Sequence, residues 1–201
     1  MHEYIQSVKN LLPRILSNGL ESKNLQVCVV CSDRLADSLG RAIVDQVELI
    51  LESKKAWVLC LWEFRISHER GDFFTVSKQY FEGNSYDDVH LIIFEDGSMP
   101  HAVIASRILR ASSLMNVKKI SVLTSRYSPD LLDSICNDLI PSISSLISFY
   151  EVLGNPFQSE SIEVSEILNG SKAEVRRRSW VPDFIRVRRM LNFPAQLITK
   201  D

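Results

Sequence analysis

Residues 89–126, VHLIIFEDGSMPHAVIASRILRASSLMNVKKISVLTSR, restrict the possible folds more than any other part of the chain. They open with a branched apolar run, 89–94, of the length and composition of a buried strand. Glu95, Asp96, Gly97 and Ser98 break that run, and Pro100 stands where a first helical turn tolerates a missing N–H, with Ser98 as its N-cap. Ala102, Ala105, Ile108, Leu109 and Ala111 then recur at helical spacing, with Arg107 and Arg110 expected to face outward. Residues 120–124 form a second apolar run. Strand, helix and strand with short links make a βαβ unit, two parallel strands joined by a right-handed crossover. Ile92, Ile93, Ile108 and Leu109 are its expected core.

A second unit of this kind lies upstream. Residues 25–31 read as a buried strand, Ser32 and Asp33 as a turn and cap, and 35–51 as one long amphipathic helix through Leu39, Ile43, Val47 and Ile50. Before it, residues 3–16 place Ile5, Val8, Leu11, Leu12, Ile15 and Leu16 on one helical face, with Pro13 expected to end or kink the helix. Residues 56–64 and 73–81 read as strands, the latter an edge strand joined to the strand at Val89 by a hairpin through residues 82–85. Arg70, Gly71 and Asp72 read as a turn. Downstream, Ser128, Pro129 and Asp130 cap a helix over 131–139 that Pro141 ends. Residues 143–153 then suit a strand, 155–171 a surface loop, 183–191 a last helix and 193–199 a last strand. The pattern predicts a three-layer αβα domain over residues 1–201 with a mixed, mostly parallel sheet.

At 201 residues, 45% hydrophobic and 24% charged, the chain has the composition of an ordinary globular protein. No apolar run reaches the roughly 20 residues of a membrane span, and the first ten residues lack the order of a signal peptide. A cytoplasmic location, with the nucleus as a second compartment, is the expectation. Cys28 and Cys31 form a C-x-x-C, but on a strand positions three apart face opposite ways, so these thiols cannot pair or share a metal. Cys60 and Cys136 read as core residues, and no metal or cofactor is expected.

Charge is unevenly placed. Between Lys172 and Arg189 seven basic residues stand against Glu174 and Asp183, a net of five positive charges in a chain whose total is −2. Arg176, Arg177, Arg178, Arg186, Arg188 and Arg189 are therefore candidates for contact with an acidic protein partner. No interleaved aromatic platform beyond Trp180 accompanies them and the sequence pI is about 6.1, so nucleic acid is disfavoured.

Three segments, QVCVVCSDRL, IIFEDGSMPHAVIASRIL with NVKKISVLTS, and SWVPDFIRVRRMLNFPAQLITKD, resemble in order the purine nucleoside phosphorylase superfamily. That resemblance implies a nucleoside-phosphorylase-like fold whose pocket positions would be Ser32, Asp33, Glu95, Thr124 and Ser125. The family's phosphate turn is Gly-rich, whereas Ser32, Asp33, Arg34 and Leu35 include no glycine, and the family's base-recognising Asn falls at Lys200. Leu61–Trp62, the run ISVLTSRYSPD and the ending FPAQLITKD are similar to proteasome assembly chaperones of the chaperone 1 type, relatives without that active site. This resemblance implies a non-enzymatic chaperone acting as a heterodimer with a paralogous subunit and binding proteasome α-subunits. The alternative it leaves is a diverged purine nucleoside phosphorylase acting on nucleosides and phosphate.

Other motifs read structurally. Glu95 and Asp96 suit a turn and helix cap as well as paired carboxylates for proton transfer. His101 is expected on the surface, and no G-x-S-x-G elbow surrounds Ser32.

Overall fold

The computed structural model describes residues 2–17, 26–51, 56–68, 71–83, 88–94, 101–125, 129–153 and 181–192. The expected strand at 193–199 and loop at 155–171 lie outside them. Helix α1 is His2–Ser17 and buries Tyr4, Val8, Leu12, Ile15 and Leu16. Pro13 stays inside it because Pro13 and Lys9, whose carbonyl loses its donor, are on the exposed face, where water can bond that carbonyl. Strand β1 (Gln26–Ser32) leads into a π-helical turn, Ala36–Gly40, and then α2 (Arg41–Leu51). The single long helix expected here is thus broken at its start by a wider turn. Such turns are common at functional sites.

Strands β2 (Trp57–His68) and β3 (Gly71–Phe81) pair antiparallel, from Leu59 opposite Phe81 to His68 opposite Gly71. This corrects the hairpin expected between the edge strand and Val89. Residues 71 and 72 belong to β3, and β4 (Asp88–Phe94) crosses to pair with β1 and β5 instead. After β4 come α3 (His101–Ser112), β5 (Asn116–Thr124), α4 (Pro129–Asn137), the short α5 (Pro141–Ser144), β6 (Ile147–Glu151) and α6 (Asp183–Asn192). Of the stretch expected as a strand, 143–153, only Ile147–Glu151 is one, because Pro141 begins a helical turn rather than simply ending one.

The sheet order is β3-β2-β1-β4-β5-β6, parallel throughout except for β3 at one edge. Its strands are apolar on both faces because helices cover both, which confirms the three-layer reading. One face packs Val27, Val29, Cys31, Val58 and Trp62 under residues of α1, α2 and α6. The other packs Val30, Leu61, Leu91, Ile93 and Val122 under Ile104, Ile108 and Ile135 of α3 and α4. Cys31 and Cys28 fall in opposite layers, as a strand requires.

Within α3 the buried stripe is rotated from the expected one. Ile108 is fully buried, but Leu109 is 43% exposed, and Arg107, expected outside, is 1% exposed. Ile108→Ala should therefore cost about 2–5 kcal/mol in urea unfolding, and Leu109→Ala less than about 1 kcal/mol. The reverse order would mean that α3 packs through a different face.

Three of the four cysteines are fully buried and Cys136 is half-buried. Burial pushes the Cys28 thiol up; a hydrogen bond with Cys31 and then burial do so for Cys60. Thiolate is the reactive form. A disulfide-exchange titration should count one accessible thiol in the native protein, slow because burial and Asp133 also raise Cys136, and all four after denaturation.

Candidate functional site

The strand order reverses direction between β1 and β4. The connection from β1 to β2 runs through α2 on one face, and that from β4 to β5 through α3 on the other. Where two crossovers depart to opposite faces, the carboxyl ends of the strands between them leave a crevice, the usual ligand position in open α/β sheets. Here those ends carry Ser32 of β1 and Phe94 of β4, with Thr124 of β5 next along the same edge.

Ser32 is 1% exposed, and its Oγ has no hydrogen-bond partner among the described residues. Such a group costs free energy unless something satisfies it. Asp33 follows it, also 1% exposed, at the mouth of the π-turn. Three of the turn's amides are engaged: Asp33 N donates to Leu61 O at 2.9 Å, Leu35 N to Ser32 O at 3.2 Å and Gly40 N to Leu35 O at 2.8 Å. Gly40 is closely packed: a Cβ there would stand 3.3 Å from Cys31 Cβ and 3.3 Å from Leu35 O, so either neighbour would have to give way.

On the α3 side of the crevice lies a buried ion pair. Arg107 donates from Nε to Glu63 Oε1 at 2.8 Å and from Nη2 to Oε2 at 2.7 Å, and from Nη1 to Phe94 O at 3.1 Å. Glu63 is two residues past Leu61, the last residue of β2 paired to β1. The pair therefore joins the middle of β2 to the end of β4, beyond the end of β1. It was missed in the sequence, although Arg107 sits four residues after Val103 and three after Ile104, in the middle of the buried stripe.

Of the expected pocket positions, Ser32, Asp33 and Thr124 come to one edge, and Ser125 follows Thr124 half-buried. Thr124 is fully buried, and its carbonyl accepts from Val152 N at 2.8 Å. Glu95 and Asp96 lie outside the described residues, as do Arg176, Arg177 and Arg178. The remaining basic residues do not form one outward face. Arg186 is exposed and paired with Asp183. Arg189 lies over the Tyr80 ring at 5.0 Å. Arg188 is turned inward, 8% exposed, with both Glu82 oxygens at 2.6 Å and Glu48 at 3.1 Å. Burial works against its charge, but the hydrogen bonds and charges of Glu82 and Glu48 outweigh it and raise its pKa. Arg188 is thus an internal tie.

His101 is exposed, 3.9 Å from Asp138. Among the described residues no group of three His, Cys, Asp or Glu could hold a metal ion, and no helix is long and apolar enough to cross a membrane.

No family model matches the chain, and no curated protein does. The solved structures it is similar to include a hypoxanthine-guanine phosphoribosyltransferase of L. donovani, at 12% identity over 76% of this chain and 78% of that one, TM-score 0.41. A purine phosphoribosyltransferase from Pyrococcus horikoshii matches at 14% identity over 79% of this chain and 91% of that one, TM-score 0.44. A hypoxanthine phosphoribosyltransferase from Staphylococcus aureus matches at 14% over 63% and 66%, TM-score 0.41. These matches correct the resemblance to nucleoside phosphorylases and proteasome assembly chaperones, and with it both the chaperone function and the phosphorolytic alternative. The segments that carried that resemblance are short strand–turn–helix pieces, which unrelated doubly wound sheets share.

Proposed function

We propose that the chain binds a small molecule bearing a vicinal diol, of the ribose class, at the carboxyl ends of β1 and β4. The observation that carries this reading is the buried, unpartnered Ser32 hydroxyl at the point where the strand order reverses. A hydroxyl can donate to or accept from a sugar hydroxyl, and a carboxylate such as Asp33 has acceptor capacity for both hydroxyls of a diol.

The reading is tested by thermal unfolding of the full chain with ribose, adenosine, 2′-deoxyadenosine, glucose and inorganic phosphate. A ligand at a hundredfold its Kd adds about 2.7 kcal/mol of stability. Ribose and adenosine should raise Tm, and 2′-deoxyadenosine, lacking the diol, should raise it much less because it leaves the buried polar groups unpaired. Ser32→Ala should weaken adenosine binding about tenfold, one hydrogen bond's worth. Equal shifts with adenosine and its deoxy analogue, or a shift with phosphate alone, would overturn the assignment.

A further inference from the structure

We infer that α6 is a latch on the π-turn, so that release of the helix loosens the segment carrying Ser32 and Asp33. Two sets of contacts fasten the helix. At its N-terminus Asp37, inside the π-turn, accepts from Asp183 N at 3.1 Å and from Phe184 N at 2.7 Å. One carboxylate from the turn thereby satisfies two of the amides that a helix start leaves open. Near the C-terminus Arg188 donates to Glu82 at the end of β3, to Glu48 of α2, and to Ala56 O at 2.7 Å just before β2. Tyr80 Oη donates to the same Glu82 at 2.7 Å, and Arg189 covers the Tyr80 ring. Between the two ends Phe184 and Ile185 enter the core under α1 and α2.

The π-turn has little slack of its own. Gly40 lies in close contact with Cys31, and Gly40 N and Leu35 N close the turn onto Leu35 O and Ser32 O. Asp37 is thus fixed from below by β1 and from above by α6. A helix held this way and the turn beneath it should open as one cooperative unit. The latch stands on these contacts alone; that its opening alters ligand capture rests on the reading above.

Hydrogen exchange of the full chain without any ligand tests it, in wild type and Arg188→Met. Arg188 also holds Glu48 of α2, which continues from the turn, so Glu48→Gln, which weakens that route while Glu82 still fastens α6, is read beside it and should leave 33–41 at its wild-type rate. In Arg188→Met, exchange should quicken on the order of tenfold or more in residues 183–192 and also in 33–41, while 116–124 keeps its wild-type rate. If Arg188→Met does not fold, Arg188→Lys, which keeps the charge but loses the two-pronged fork, is read by the same comparison. Faster exchange in 183–192 alone overturns the latch, as does an equal rise in all three segments. If the latch holds and adenosine still fails to bind wild type, the ligand assignment falls and the latch stands.

Discussion

Arg107→Ala is expected to be among the most destabilising single changes available in this chain, costing about 3–5 kcal/mol. The pair it breaks is buried on both sides, with Arg107 1% exposed. Removing the guanidinium strips Glu63 of two donors and Phe94 O of one, leaving a carboxylate in a poorly solvated site. The pair itself need not be strongly stabilising, because the cost of desolvating both ions opposes their attraction. A double replacement, Arg107→Met with Glu63→Leu, should accordingly recover most of the loss. Urea unfolding of wild type, both single variants and the double variant gives the coupling directly, provided the slope with denaturant is unchanged. Additive single effects would show that the two side chains do not depend on one another.

Acidification should reveal a second large effect. His90 on β4 and Ser121 on β5 meet within the sheet at 2.8 Å, both almost fully buried. Burial, and secondarily the charge of Lys119, lower the His90 pKa from 6.5 to about 3. Unfolded, the imidazole takes up its proton near pH 6.5; folded, it stays neutral down to about pH 3. Between those values the unfolded chain binds the extra proton, so stability falls as the pH falls, and above 6.5 this residue contributes no slope. The loss from pH 6.5 to pH 4 should be about 3 kcal/mol from His90 alone. Carboxylates add their own slope in that range, so the measurement is the difference between wild type and His90→Gln. Identical pH profiles for the two proteins would show that the folded imidazole protonates freely.

Much of the architecture was legible because apolar runs and helical periodicity report burial on the sheet and beneath the helices. β1, β4, α3 and β5 could be read from the residues alone. The hairpin was misassigned because a strand's partner is a spatial fact: β3 pairs with β2, His68 opposite Gly71, yet the link through Glu82 and Gly83 suited a hairpin just as well. The π-turn was invisible because the periodicity of residues 35–51 continues across it. Arg107 was read by residue type rather than position, although the stripe through Val103, Ile104 and Ala111 already enclosed it. Its partner Glu63, 44 residues away, carried no local signal at all. Arg188 was grouped with its basic neighbours for the same reason, since its carboxylates are on α2 and at the end of β3. The unpartnered Ser32 Oγ emerges only once the strand ends are placed side by side.

The ligand position at the reversal of strand order is tested most directly by amide chemical shifts of isotopically labelled protein titrated with adenosine and then with 2′-deoxyadenosine. Adenosine should move the amides of Ser32, Asp33, Phe94 and Thr124 at the carboxyl edge, and the deoxy analogue should move them far less. Shifts confined to the opposite edge, near Gln26 and Asp88, or no shift at the carboxyl edge with either compound, would contradict a diol site between β1 and β4.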